Sequence, residues 1–223
     1  MRRMMAWSAI GTFALSAVLM GKADAGILWD QSSDISSVAV SAQDFTDFPE
    51  FSTYQFDDFV VGAPGWFISR VTIYGFETGD PNQTSALELR ILDAASASAN
   101  VVASATISPA AGHSANLVFT FDTPLQINPG TYWISGWVVR PFVGGGQWFW
   151  YRHNSLNGSE HFFHNPGGGN GQGTDPLPGS RLAGTPSDLA FTIEGELVPE
   201  PASLAALGAG LAGLLGLRRR AHR

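Results

Sequence analysis

The chain has 223 residues, no cysteine, and 19 aspartates and glutamates against 12 lysines and arginines, a formal charge of −7. Without thiols, neither disulfides nor thiolate metal centres contribute to the fold. The negative balance excludes nucleic acid as a partner, because its phosphates would be repelled.

The chain opens with Arg2 and Arg3, an apolar stretch from Met4 to Met20, and the small-residue pattern Ala23-Asp24-Ala25. That order is a secretory signal peptide over 1–25, read by the export machinery and cut by signal peptidase between Ala25 and Gly26. The next segment, 26–197, is long enough for one domain with its own core. It contains no lysine. Its five arginines (Arg70, Arg90, Arg140, Arg152 and Arg181) stand against 17 acids, a formal charge of −12. Such a surface has no direct grip on an anionic polysaccharide without bridging cations.

Strand patterns run through this segment. Tyr54 to Val61 alternates Tyr54, Phe56 and Asp58 with Asp57, Phe59 and Val61, and Gly62-Ala63-Pro64-Gly65 turns the chain. Trp66 to Phe76 is β-branched and aromatic. Ala86 to Asp93 sets Leu87, Leu89 and Ile91 against Glu88, Arg90 and Leu92, which predicts one wet face. Further strands are expected at Val101 to Ser108, Asn116 to Phe121 and Thr131 to Arg140, where Trp133 and Trp137 share a face. Gln147 to His153 reads as the antiparallel return of Thr131 to Arg140. A Gly-rich loop from Asn165 to Pro178 and a last strand from Asp188 to Glu196 complete the domain. No segment shows sustained helical periodicity. Nine or so strands without crossover helices predict an all-β fold, an antiparallel β-sandwich of jelly-roll type.

Candidate chemistry is sparse. In Trp148 to His153, Trp148, Trp150 and Arg152 face one way, and Phe149, Tyr151 and His153 the other. One face is core; the other, assigned to Trp148 and Trp150, offers a flat platform on which the apolar C–H faces of sugars stack. His153, Glu160, His161 and His164 have ligand chemistry for zinc or copper but no ligand spacing. Asp44, Asp47, Asp57 and Asp58 offer oxygens to calcium, though no calcium-loop motif is present and solvated acids are the favoured reading. No cofactor is therefore expected. Glu194 and Glu196 lie on one strand face about 7 Å apart, a separation used in glycoside hydrolysis. No nucleophile-elbow or zinc-protease motif accompanies them.

The tail has three parts in fixed order: Val198-Pro199-Glu200-Pro201-Ala202-Ser203, an apolar run from Leu204 to Leu217, and Arg218-Arg219-Arg220. Proline keeps the first part extended and accessible. As a helix the apolar run reaches about 21 Å, short of a hydrocarbon core of about 30 Å, which suits a temporary transmembrane helix. The arginines hold the C-terminus in the cytoplasm. Residues 198–223 resemble a PEP-CTERM sorting signal, the tail recognised by exosortases of Gram-negative bacteria. The resemblance implies transient anchoring in the inner membrane, cleavage near the Pro-Glu-Pro and delivery to the cell surface or the exopolysaccharide biofilm matrix. Three strands (Asp-Asp-Phe, Val-Thr-Ile-Tyr-Gly-Phe and Asp-Leu-Ala-Phe-Thr-Ile-Glu-Gly) are similar to those of sandwich domains found before such tails. The expectation is a secreted, non-enzymatic surface or matrix protein associated with exopolysaccharide. The alternatives are a carbohydrate-active hydrolase on a jelly-roll scaffold and a purely structural coat protein.

Overall fold

A computed structural model describes residues 25–96, 98–109 and 114–199. The signal-peptide assignments up to Ala23 and the tail from Glu200 to Arg223, including Pro201, Ala202, Ser203, Leu204, Leu217 and the arginines, lie outside the described residues. The described chain is strands joined by turns: β1 (Gly26–Asp30), β2 (Ile35–Ser41), β3 (Gln43–Phe45), β4 (Tyr54–Val61), β5 (Trp66–Ile73), β6 (Gly75–Glu77), β7 (Ala86–Leu92) and β8 (Val101–Ile107). There follow β9 (Leu117–Ile127), β10 (Gly130–Arg140), β11 (Trp148–His153), β12 (Phe162–His164), β13 (Leu177–Pro178), β14 (Asp188–Leu189) and β15 (Phe191–Leu197). A single helical turn, α1 (Ser180–Ala183), ends at Gly184 with φ of +77°.

These strands form two layers. One contains the sheet β1-β15-β5-β9 and the smaller sheet β14-β11-β2, with β6 also on β11. The two sheets run into each other, because β6 follows β5 and β15 follows β14 after one residue. Tyr74 N–H donates to the Ala190 carbonyl, and Ala190 N–H to that of Tyr151. The second layer is β13-β12-β4-β10-β7-β8, with β3 parallel to β10. Every other pairing is antiparallel among the described strands.

The inward side chains follow from the two-residue repeat. Phe59 and Val61 on β4, Leu87, Leu89 and Ile91 on β7, and Ile134 and Val138 on β10 meet Ile68, Val71, Phe119, Phe191 and Ile193 of the other layer in one buried cluster. Phe59 stacks on Trp66 at 6.0 Å and meets Phe191 edge-on at 6.5 Å. Gly136 lets Ile73 of the other layer pack directly on β10, since a Cβ there would occupy the place of Ile73 Cδ1.

Two local expectations are corrected. β11 does not return beside β10. Both edges of β10 are already filled, one by β7 and the other by β4 and β3. The chain instead crosses after Arg140 to the other layer, where β11 pairs with β2, β6 and β14. The strand predicted to stop at Phe121 continues to Ile127 past Pro124. β9 is an edge strand, where a missing N–H costs little.

Candidate functional site

The outward face of the second layer is concave and mixed in chemistry. Registers set its members: Trp137 lies opposite Glu88, Ser135 opposite Arg90, and Trp133 opposite Leu92 on one side and Asp58 on the other. Asp44 of β3 sits opposite Val139. Tyr54 and Phe56 of β4 complete a recess of about 210 Å³. The Arg90 guanidinium lies 5.0 Å over the Trp137 ring and finds no acceptor among the described residues. Tyr54 meets the other side of this pair edge-on, 5.0 Å from Trp137. Burial, aided by the charge of Asp44, pushes the Tyr54 phenol up to about 12, so it is a donor at neutral pH. Ser135 is 1 % exposed, and its hydroxyl has no partner among the described residues. Asp44 accepts from Ser52 Oγ at 3.0 Å through one oxygen, and Glu88 from Thr106 Oγ1 at 2.9 Å through one.

Across β3 lies a larger apolar basin of about 530 Å³, at the loop end of the layer. Phe45 is buried at its base, and the exposed Phe48, Phe51 and Phe142 form its rim. Phe142 meets Phe45 and Phe48 edge-on at 6.0 and 6.4 Å. Asp47 fixes this loop by accepting the N–H groups of Phe142 and Val143 at 2.8 and 2.9 Å.

Trp148 and Trp150 are not a platform. Both are 0 % exposed, and their indole N–H groups donate to the carbonyls of Ala115 and Ala190 at 2.6 and 2.9 Å. Aromatic residues occupy both faces of β11, and the larger indoles fill the core. The outward face carries Phe149 and Tyr151, but Phe149 is stacked on Phe76 at 4.9 Å with 13° between the rings. Ring faces turned towards each other are closed to a sugar.

The histidines are not gathered. Ring nitrogens of His153, His161 and His164 contact the carbonyls of Ser155, Ser187 and Thr174, and Glu160 accepts from Ser180 N–H and Oγ. Among the described residues no group of three or more His, Asp or Glu side chains could hold a metal ion. The four candidate calcium aspartates are likewise apart. Asp44 and Asp47 serve the β3 region, whereas Asp57 is buried and accepts from Leu189 N–H at 2.7 Å, and Asp58 accepts from Ser159 N–H at 2.8 Å. Glu194 pairs with Arg70 at 3.8 Å, and neither Glu194 nor Glu196 lines the recess or the basin.

Beneath β4 lies a buried acidic pair. Burial and the neighbouring Asp188 push the Asp57 carboxyl well up, and burial pushes Asp188 up to about 6. Asp188 Oδ2 accepts from Gln31 Nε2 at 3.0 Å and from Asn157 N–H, while Oδ1 has no partner among the described residues. An acid whose folded value is raised binds its proton better in the native state. Stability therefore falls as pH rises from the unfolded value of 3.8 through about 6. Acids held low, such as Asp30 and Asp34, act below that window. His161, held neutral by burial, opposes the trend below its ordinary value. Asp188→Asn isolates the effect: it keeps an acceptor oxygen and puts a donor where Oδ1 is unpaired. Urea unfolding across pH 4 to 8 should show the variant gaining up to about 3 kcal/mol over the wild type at neutral pH, with the gap closing towards pH 4. Parallel curves would remove Asp188 as the cause.

β15 carries the last described strand to the tail. Leu197 pairs with Trp66, and Val198 N–H donates to the Gly65 carbonyl at 2.9 Å. Residues 197–220 match the family described as the PEP-CTERM protein-sorting motif. No curated protein and no solved structure matches the chain. The motif marks an exported protein, anchored transiently in the membrane and processed by an exosortase. Among the described residues no helix is long and apolar enough to cross a membrane.

Proposed function

We propose that this chain, exported and processed through its PEP-CTERM motif, is a non-enzymatic protein of the Gram-negative cell surface or matrix that binds exopolysaccharide through the outer face of its second layer. The scaffold is read as a sandwich of jelly-roll type, working without a metal cofactor. The observation that carries the reading is Arg90, stacked on Trp137 with its N–H groups free of any acceptor among the described residues. Around it stand two carboxylates, a protonated phenol and an unpaired buried hydroxyl. Guanidinium donors and carboxylate acceptors suit the neighbouring hydroxyls of a sugar ring, each of which both gives and takes a hydrogen bond. Two acids against one arginine favour neutral or amino sugars over uronic acids. The Phe48, Phe51 and Phe142 rim extends the site with apolar surface for the C–H faces of adjoining units.

The polarity of the domain fits this role. Strand β10 runs from Gly130, beside the end from which the tail leaves, to Arg140, beside the basin. Trp137 is seven residues along it, about 23 Å from the tethered end. The site thus lies towards the end of the domain opposite the tail.

Titrating the mature protein with fragments of its host's exopolysaccharide, followed by tryptophan fluorescence, tests the reading. Arg90→Ala should weaken binding about tenfold to a hundredfold, the worth of charge-assisted hydrogen bonds. Equal affinity of variant and wild type would remove the recess as the site.

A further inference from the structure

The sorting motif begins inside the folded domain. Leu197 and Val198, its first two residues, are held by Trp66 and Gly65 at the end of the first layer. Only Pro199 to Ser203 separate this sheet end from the apolar run starting at Leu204. Five residues span at most about 17 Å. An enzyme embedded in the membrane and acting within that stretch meets the end of the domain at the same time.

That end differs from the rest of the surface. Gly65, at φ of +111°, brings three pieces of chain together: a Cβ there would lie 2.8 Å from the Ile127 carbonyl, 3.4 Å from Val198 Cγ2 and 3.5 Å from Pro129 Cδ. Gly130 pairs with Val61, and Gly26 with Gly195. The start of the mature chain and the start of the tail therefore share this end. In a segment whose formal charge is −12, residues 25–28, 60–66, 127–131 and 197–199 include no charged side chain, and Glu194, opposite Ile27, and Glu196, next to Leu197, border them. Apolar side chains stand out from it instead: Ile27 is 64 % exposed, Val60 47 % and Leu197 57 %.

We propose that this apolar rim is a docking surface for the exosortase, so that the processing enzyme reads the folded end of the domain together with the motif. The inference rests on the processing reading. Continuity with the motif and the short reach of Pro199 to Ser203 favour the enzyme over the lipid surface. The rim also lacks the lysines and arginines that hold a protein to anionic headgroups.

The test follows conversion of the full-length precursor in its exosortase-bearing host, by pulse-chase and intact mass. The variants are Ala63→Glu, Val60→Glu and Val60→Lys, with and without ten Gly/Ser residues inserted between Val198 and Pro199. Thermal midpoints and glycan affinity of each confirm folding. All three charged variants should be cut about tenfold more slowly, because a buried unpaired charge weakens an interface of either sign. The inserted linker should slow the wild type and leave nothing further for the charges to remove. Unchanged conversion of folded charged variants would overturn the proposal. So would faster cutting of Val60→Lys beside slower cutting of Val60→Glu, which would point to the membrane surface. A wild-type chain left uncut would instead remove the processing reading, and this surface with it.

Discussion

Replacing Arg140 by alanine should cost the domain about 3–5 kcal/mol, the usual penalty for orphaning one member of a buried ion pair. Arg140 is fully buried, and its Nη1 lies 2.9 Å from Glu77 Oε2. Nε donates to Gln43 Oε1 at 3.3 Å and Nη2 to the Thr78 carbonyl at 3.4 Å. Gln43 Oε1 in turn accepts from Trp148 N–H at 2.8 Å. The cluster ties β10 and β3 of one layer to β6 and β11 of the other, at the end where the chain crosses over. Urea unfolding of wild type and Arg140→Ala measures the loss. Replacing Arg140 and Glu77 together by methionine should recover most of it, because no lone charge is left behind. A loss under about 1 kcal/mol would place the pair with surface salt bridges.

Trp150→Ala should be as damaging, about 3–5 kcal/mol, and for a different reason. The indole is 0 % exposed, meets Phe191 edge-on at 6.2 Å and donates to the Ala190 carbonyl at 2.9 Å. Truncation leaves a cavity between the layers and removes one of the two hydrogen bonds at the Ala190 carbonyl, which keeps that from Tyr74 N–H. The unfolding midpoint should fall sharply, while the variant that remains folded binds glycan as the wild type does. Lost affinity with intact stability is the opposite result, and it would restore Trp150 as a contact residue.

Trp150 also shows where sequence patterning stops. Period-two alternation assigns Trp148 and Trp150 to one face of β11 and Phe149 and Tyr151 to the other, but both faces are aromatic. Only the layer behind the strand decides which is core. The same alternation did locate the parts of the recess. Tyr54 and Phe56 share a face of β4, Glu88 and Arg90 a face of β7, and Trp133 and Trp137 a face of β10, of which Trp137 lines the recess. The sheet order β4-β10-β7 joins them, and that order is a long-range property that no local stretch carries. A wet strand face holding an arginine, next to a strand with two tryptophans on one face, was the available signal. Strand β7 was legible because Leu87, Leu89 and Ile91 alternate with Glu88 and Arg90, and β4 because aromatic and β-branched residues run up to the Gly62-Ala63-Pro64-Gly65 turn. β2, with the sequence Ile-Ser-Ser-Val-Ala-Val-Ser, was not, since its serines and exposed Val38 hide the period. The sorting motif was legible because its meaning lies in a short linear sequence rather than in a fold.

The most direct test of the whole reading is the distribution of the mature protein between matrix and medium in the producing cells. Wild type and Arg90→Ala should both be exported and cut at the tail. The wild type should stay with the matrix until its exopolysaccharide is digested, and Arg90→Ala should appear in the medium without digestion. If both variants partition alike, or if digestion releases neither, the recess does not hold the protein to exopolysaccharide.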